Sequence, residues 1–371
     1  MKITILQGAF LPVPTRRGGA IEKAWERLGK EFSCLGHKVT HVSRLCDGLP
    51  EMEEIEGVRH IRIKGADAVD NSVTLKCLEL PYVWRAREHL PEADILVTHA
   101  FWAPLILNNK SYGKIYVHVG RYPKGQLKFY RKANKLQAPS SAISEAIKRE
   151  IPKHENRISM IPYPLPWELM ELKPIEQRKK RILYFGRIHP EKGVLELVRA
   201  WNQLLEDERG QWELRIVGPW KKEEGGGGLE YFNQIQNQCD RHSSRVELLE
   251  PIFDIELIRH EYQEARILAY PSKAEKGETF GLSVLEAMSH GCVPLVSSLQ
   301  CFLDFVSADN AFIMPEKRDS FEKTLKKKLT EAIHAEDNIS ELSLKAYEKA
   351  LEYEPKKIAQ RFLEDFEKIS S

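Results

Sequence analysis

Residues 267–298 read ILAYPSKAEKGETFGLSVLEAMSHGCVPLVSS. The run Ile267–Tyr270 is continuously apolar, which predicts a short buried strand. Leu282, Leu285 and Met288 recur at helical spacing, and Gly291 then supplies the C′ stop of a helix. Val293–Val296 is apolar again and predicts the next strand. Strand, loop, helix and strand in this order make a βαβ unit, the building block of a parallel sheet. Glu278 stands on the loop, and Phe280-Gly281-Leu282 opens the helix. A helix start presents backbone N–H groups that bind anions, and glycine adds no Cβ to hold a phosphate away. Glu286 follows eight residues after Glu278, inside the helix. Two carboxylates flanking an anion site suit a ligand that joins phosphate to hydroxyl donors, as a nucleotide sugar does.

Outward from this stretch, the same rhythm begins at Arg181–Phe185, a strand followed by GRIHPEKG and a helix from Val194 to Leu205. Arg187 at the strand end and Lys192 before the helix place two cations around one βα loop. Arginine offers a planar fork and lysine a point charge, a pair that suits a diphosphate. Trp212–Val217 is the next strand, and its exit carries Gly225–Gly228. The G-x-G-x-x-G spacing is absent there, so the four glycines predict a mobile loop, not a phosphate cradle. Val246–Leu249 is a further strand.

The first half begins with a strand at Ile3–Leu6 and the loop GAFLPVPTRRGG. A helix follows from Ala20, with Ala24, Leu28, Phe32 and Leu35 on one face. Gly18-Gly19 before that helix allow close approach of phosphate or sugar, or simply a tight βα turn. Strands at Lys38–Ser43 and Val58–Ile63 precede a helix over Val73–His89, expected to bend at Pro81. The strands Asp94–His99 and Lys114–Val119 carry His99 and His118 at their C-terminal ends, where ligands of open parallel sheets gather. Each histidine has a second reading as a satisfied structural residue. Pro162, Pro164, Pro166 and Pro174 interrupt both regular structures and mark a domain boundary.

The string ETFGLSVLEAMSHGCVPLVSS resembles the E-x7-E signature of retaining GT-B glycosyltransferases of the group 4 class, and GR-x4-KG at Gly186–Gly193 is similar to a second hallmark of that class. LPVPTRRGGAIE is weakly and locally similar to spore-coat-associated members. The resemblance implies a GT-B fold: two doubly wound Rossmann-like domains facing a cleft. The expected domains are residues 1–165, with a helix over 355–371 crossing back, and residues 166–354. It implies that Glu278 contacts the transferred sugar and Glu286 the nucleotide ribose. Arg187 and Lys192 bind the pyrophosphate, with Phe280, Gly281 and Leu282 at the helix start. Gly18 and Gly19 line the site beneath it, and His118 touches the donor sugar. Where the class has an asparagine-glycine turn this chain has IPYPLP, and Gln300-Cys301 and Asp304 replace a usual glycine pair and glutamate. No contacts are assigned there.

The implied activity is metal-independent transfer of a sugar from a nucleotide sugar, UDP- before GDP-linked. The acceptor is a hydroxyl of a glycan or lipid-linked cell-envelope molecule. No D-x-D motif occurs to hold a metal on the diphosphate, and no cofactor is expected. The alternative is a noncatalytic GT-B-like structural or coat protein, which the intact Arg187, Lys192, Glu278 and Glu286 argue against.

With 371 residues, 42% of them apolar, the chain is long enough for two cores. The N-terminal MKITIL is a first strand, not a signal peptide, and no window approaches membrane-spanning length. Six scattered cysteines without a C-x-x-C pair fit reduced thiols in a cytoplasmic protein. Net charge is +2 for the chain but +9 over residues 1–165. The segment Arg121–Lys135, RYPKGQLKFYRKANK, has six cations and no acid, interleaved with aromatic residues. It suits peripheral contact with anionic lipid on the inner face of a membrane, or an anionic glycan acceptor, or a plain solvated face. No nucleic-acid motif accompanies it.

Overall fold

The computed structural model describes residues 1–15, 19–69, 71–107, 109–240, 245–315 and 320–370. The chain forms two compact units, Met1–Glu168 with Tyr353–Ser371, and Leu169–Glu352.

Among the described residues the first unit contains eight strands: β1 (Lys2–Leu6), β2 (Lys38–Arg44), β3 (Met52–Ile55), β4 (Val58–Ile63), β5 (Ile95–Thr98), β6 (Lys114–His118), β7 (Lys135–Ala138) and β8 (Ile158–Met160). Their order is β3-β4-β2-β1-β5-β6-β7-β8, parallel throughout except for β3 against β4. Sequence order runs outward from β1 in both directions, so the switch point of this sheet lies between β1 and β5. The central strands β1 and β5 read as near-continuous apolar runs, KITIL and ILVT, and are buried along almost their whole length, as strands covered on both faces are. Helix Ala20–Cys34 buries Ala24, Trp25, Leu28 and Phe32 on one stripe. Helix Ser72–His89 is capped by the Asn71 side chain, which accepts from the Val73 and Thr74 N–H groups at 3.0 Å each. It continues through Pro81 as one helix, as expected from the sequence. The last helix, Pro355–Ser370, sets Phe362 and Phe366 against Trp25, Phe32 and Tyr116, and Asp365 accepts from the Tyr116 hydroxyl at 2.8 Å.

The second unit contains β9 (Arg181–Phe185), β10 (Glu213–Val217), β11 (Val246–Leu249), β12 (Ile267–Tyr270), β13 (Val293–Ser297) and β14 (Phe312–Met314). All are parallel, in the order β11-β10-β9-β12-β13-β14, and the switch point lies between β9 and β12. Two doubly wound Rossmann-like units are therefore present. The loops leaving β9 and β12 flank the point where such sheets hold ligands.

Candidate functional site

β12 ends at Tyr270, and the chain then runs through Pro271 and Ser272 to Glu278 before helix Leu282–Met288 begins. Gly281 caps that helix at φ 93°, a conformation that favours glycine. A Cβ there would lie 2.3 Å from Cε1 of Phe302. The close approach at Gly281 is thus to the Phe302 ring, a packing reason additional to the one expected for phosphate. Phe280 is buried beside it, its ring 5.4 Å from that of Phe305. Leu282 is buried as the first residue of the helix.

β9 leads through Gly186-Arg187 to the short turn Pro190–Lys192. Lys192 and Glu278 are both buried, and the Lys192 ammonium donates to Glu278 Oε1. The same carboxylate oxygen accepts from the Tyr270 hydroxyl at 3.1 Å and the Ser272 hydroxyl at 3.3 Å. Tyr184 stacks on Tyr270 with ring centroids 5.6 Å apart and planes within 4°. Burial first, and the Glu278 charge second, push both phenols well above the ordinary tyrosine range, so both remain hydrogen-bond donors. Arg187 is more open. Its Nη1 donates to the Gly225 carbonyl at 2.8 Å and its Nη2 to Glu191 Oε1 at 3.2 Å. The structure thus brings Arg187, Lys192 and Glu278 together at the switch point, with one cation buried and one exposed.

Glu286 belongs to a separate network. It is buried, and its Oε2 accepts from the Tyr262 hydroxyl at 3.1 Å. Tyr262 lies on helix Ile255–Glu264, stacked on His290 at 6.0 Å and tilted against Phe185 at 5.3 Å. Phe185 ends β9, so this carboxylate also stands near the switch point. Tyr262 and Tyr270 are the hydroxyls that sequence reasoning missed. Both look like ordinary core aromatics, and only the fold shows that each one's oxygen meets a carboxylate.

The loop Gly225–Gly228 is pinned, in contrast to the mobile loop its composition suggested. Its four N–H groups donate to the carbonyls of Lys222, Lys221, Ile188 and Trp220 at 2.8–2.9 Å. A Cβ on Gly226 would lie 2.2 Å from the Trp220 carbonyl carbon, so glycine there serves close backbone packing. This packed loop is what holds the Gly225 carbonyl against Arg187.

In the first unit Gly18 lies outside the described residues. Gly19 caps helix Ala20–Cys34 at φ 107°, and a Cβ there would meet Glu22 Oε2 at 2.5 Å. His118 is buried. Its Nδ1 is bonded to Gln137 Oε1, and its Nε2 lies 2.8 Å from the Tyr163 hydroxyl. Gln137 donates its amide to the Ile161 carbonyl, so Oε1 is an acceptor and His118 carries its proton on Nδ1. Burial lowers its pKa to about 4, leaving a neutral ring. His99 accepts from the Gly8 N–H at 2.9 Å across the β1–β5 switch point, and burial lowers its pKa to about 3. At 3.9 Å from Glu22 it is therefore no ion pair at neutral pH. Glu79, on helix Ser72–His89, also reaches this point, accepting from the Phe101 N–H at 2.7 Å, and burial raises its pKa to about 7. Nothing in the sequence around Glu79 marks it, because a glutamate on a helix is commonplace.

In the segment Arg121–Lys135, Arg121, Lys124, Lys128, Arg131 and Lys132 are exposed, and Leu127 and Tyr130 anchor it. Only Gln126–Phe129 is helical, a single 3₁₀ turn. Lys135 leaves the basic face. It lies on β7 and bonds the Asn156 carbonyl at 3.2 Å.

Residues 167–349 match the family described as Glycosyl transferases group 1. The GDP-mannose:cellobiosyl-diphosphopolyprenol alpha-mannosyltransferase of Xanthomonas oryzae pv. oryzae is 23% identical over 195 residues, 50% of this chain and 46% of that protein. The chain thus aligns with about half the length of that curated relative. Sucrose-phosphate synthase from Thermosynechococcus elongatus shares the fold with a TM-score of 0.80 at 18% identity, over 99% of this chain and 98% of that one. Anabaena HepE, solved with UDP and glucose, gives 0.72 at 16% identity, over 99% of both chains. The fold is that of the GT-B glycosyltransferases.

Proposed function

We propose, from a second unit that carries a glycosyltransferase group 1 domain over residues 167–349, that this protein transfers a sugar from a nucleoside diphosphate sugar to an acceptor hydroxyl, with retention at the anomeric carbon. The observation that carries the reading is the buried Lys192–Glu278 pair at the β9–β12 switch point, with Arg187 beside it. A buried lysine needs a counter-ion, and Glu278 supplies it. A pyrophosphate arriving beside Arg187 takes over that role and releases Glu278 to accept hydrogen bonds from the sugar. Arg187 then offers its fork to the phosphate oxygens. The helix start at Phe280, Gly281 and Leu282 adds backbone donors, and Glu286 accepts from the ribose diol.

In the reaction the bond between the anomeric carbon and the phosphate oxygen breaks, and the acceptor oxygen bonds that carbon on the same face. The acceptor's proton passes to the departing diphosphate. Charge grows on that leaving group, and Arg187 and Lys192 stabilise it without a metal. Glu278 stabilises positive charge on the sugar.

UDP-sugars are the first choice of donor, in keeping with the UDP-glucose held by HepE, and GDP-mannose is the competitor that the mannosyltransferase relative names. The acceptor is a glycan or lipid-linked envelope molecule met in the cytoplasm. Incubation with UDP- and GDP-sugars, following release of the free nucleoside diphosphate, tests the activity. Release from one donor that survives EDTA is expected. No release from any donor, with no nucleotide binding by calorimetry, overturns the reading.

A further inference from the structure

Helix Ser72–His89 is apolar on two faces. One buries Tyr82, Val83 and Ala86 in the first unit's core. The other carries Val73, Cys77, Leu80 and Trp84, spaced four, three and four residues apart. Side chains at this spacing form one stripe along a helix. All four are exposed, Trp84 by 55% and Val73 by 68%. Leu80 and Trp84 line an open apolar groove with Pro81, Trp102, Leu105 and Ile106. An exposed apolar stripe of this length on a surface helix calls for a covering partner.

The surroundings say what kind. The Arg87 guanidinium lies 5.5 Å over the Trp84 ring, and the Lys76 ammonium 4.3 Å over Phe101. Phe101 touches Trp102 at 5.0 Å and Tyr130 at 6.3 Å, and its carbonyl accepts from the Tyr130 hydroxyl at 2.9 Å. That link joins the groove to the segment bearing exposed Lys124, Lys128, Arg131, Lys132 and Phe129, the last 68% exposed. Residues 71–135 hold 11 Lys and Arg against four Asp and Glu. Of those four, Glu79 is buried and Asp94 accepts from the Lys2 N–H. Apolar protein partners do not call for such a charge excess. An anionic bilayer does, because aromatic and long basic side chains divide between its apolar and headgroup layers.

We propose that this face of the first unit docks on an anionic lipid bilayer, with Leu80, Trp84 and Phe129 entering the interface and Lys124, Lys128, Arg131 and Lys132 meeting lipid phosphates. Among the described residues no helix is long and apolar enough to cross a membrane, so the protein would lie on the surface.

Co-sedimentation of the full chain with phosphatidylcholine vesicles, with and without phosphatidylglycerol, tests this. Binding to the anionic vesicles that fades with salt is expected, with little binding to the neutral ones. Trp84→Ser should weaken it about tenfold, and each of Lys128→Ser, Arg131→Ser and Lys132→Ser about fivefold. Lys323→Ser with Lys327→Ser, exposed on the second unit, should change nothing. Circular dichroism of each variant verifies that it is folded. No binding to anionic vesicles at low salt overturns the proposal. So does binding indifferent to Trp84→Ser, or a Trp84-dependent dimer in lipid-free solution, which would assign the stripe to a second copy. Vesicle binding needs no donor, so its failure leaves the sugar-transfer reading untouched.

Discussion

Lys192 and Glu278, 86 residues apart in the chain, are ion-paired in the interior of the second unit, where the Tyr270 and Ser272 hydroxyls also donate to Glu278 Oε1. A buried pair of this kind stabilises little against an apolar replacement, but breaking it strands one charge. Glu278→Ala should therefore destabilise the second unit by about 3 kcal/mol and abolish transfer. Lys192→Met combined with Glu278→Leu should recover most of the stability and none of the activity. Urea unfolding and donor turnover measured on the same preparations separate the two effects. A double variant as unstable as Glu278→Ala would show that the pair is not the reason for the loss.

The second prediction concerns Arg187 and the loop that orients it. Arg187→Lys keeps the charge but loses the fork, and turnover should fall by about a hundredfold. Gly226→Ala should act through Arg187, because its Cβ would meet the Trp220 carbonyl carbon at 2.2 Å and displace the Gly225 carbonyl. A fall in kcat of about tenfold with an unchanged KM is expected for lost orientation. If Gly226→Ala lowers activity equally in the Arg187→Lys background, the loop acts by some other route. EDTA should leave wild-type turnover unchanged, and inhibition reversed by Mg²⁺ would contradict the metal-independent scheme.

Glu286 supplies the third. Removing a buried carboxylate that holds the ribose diol should weaken binding of the nucleoside diphosphate alone by about 1.5–3 kcal/mol. Tyr262→Phe removes only the hydroxyl that donates to Glu286 and should weaken it less. Calorimetry on folded Glu286→Ala giving the wild-type affinity would remove this role.

Much of this was legible in the sequence where a motif coincides with a backbone need. Gly281 before an apolar helix and Gly186-Arg187 after an apolar strand are local patterns, and the parallel sheets place both beside a switch point. Sidedness was not legible. Arg187 and Lys192 look alike in the string GRIHPEKG, yet one is half exposed and the other buried against a carboxylate far along the chain. The glycines 225–228 suggested motion because composition carries no record of the backbone carbonyls that receive their N–H groups. Trp84 was hidden for a similar reason. A helix with apolar residues on every side shows no preferred face until the sheet claims one of them.

The last prediction concerns acid. His41, His60 and His118 are buried in the first unit and His99 is mostly covered, and this lowers His60 and His118 to about 4, His99 to about 3, and His41 well below its ordinary value. His41 and His60 stack at 5.6 Å, and the Arg62 charge also lowers both. Unfolding returns each imidazole to about 6.5. Between the two values the unfolded chain binds more protons, so this stability is complete above about pH 6.5 and is lost as pH falls toward 4. Glu22, Glu26 and Glu79 act in the opposite sense. Burial raises all three, Glu79 to about 7, so their contribution is present below about pH 4.5 and is lost as pH rises through the folded value. The four imidazoles outnumber these carboxylates, so unfolding takes up protons near pH 5.5. Among the described residues of the second unit, only His290 is depressed strongly, to about 3. The first unit should therefore lose protection first on acidification. Hydrogen exchange at pH 5 and 7 should show larger losses at β1, β2 and β5 than at β9 and β12. His60→Phe should flatten the first unit's pH dependence by about one proton. Equal losses in both units, or a slope unchanged in His60→Phe, would show that these histidines are not what acid attacks.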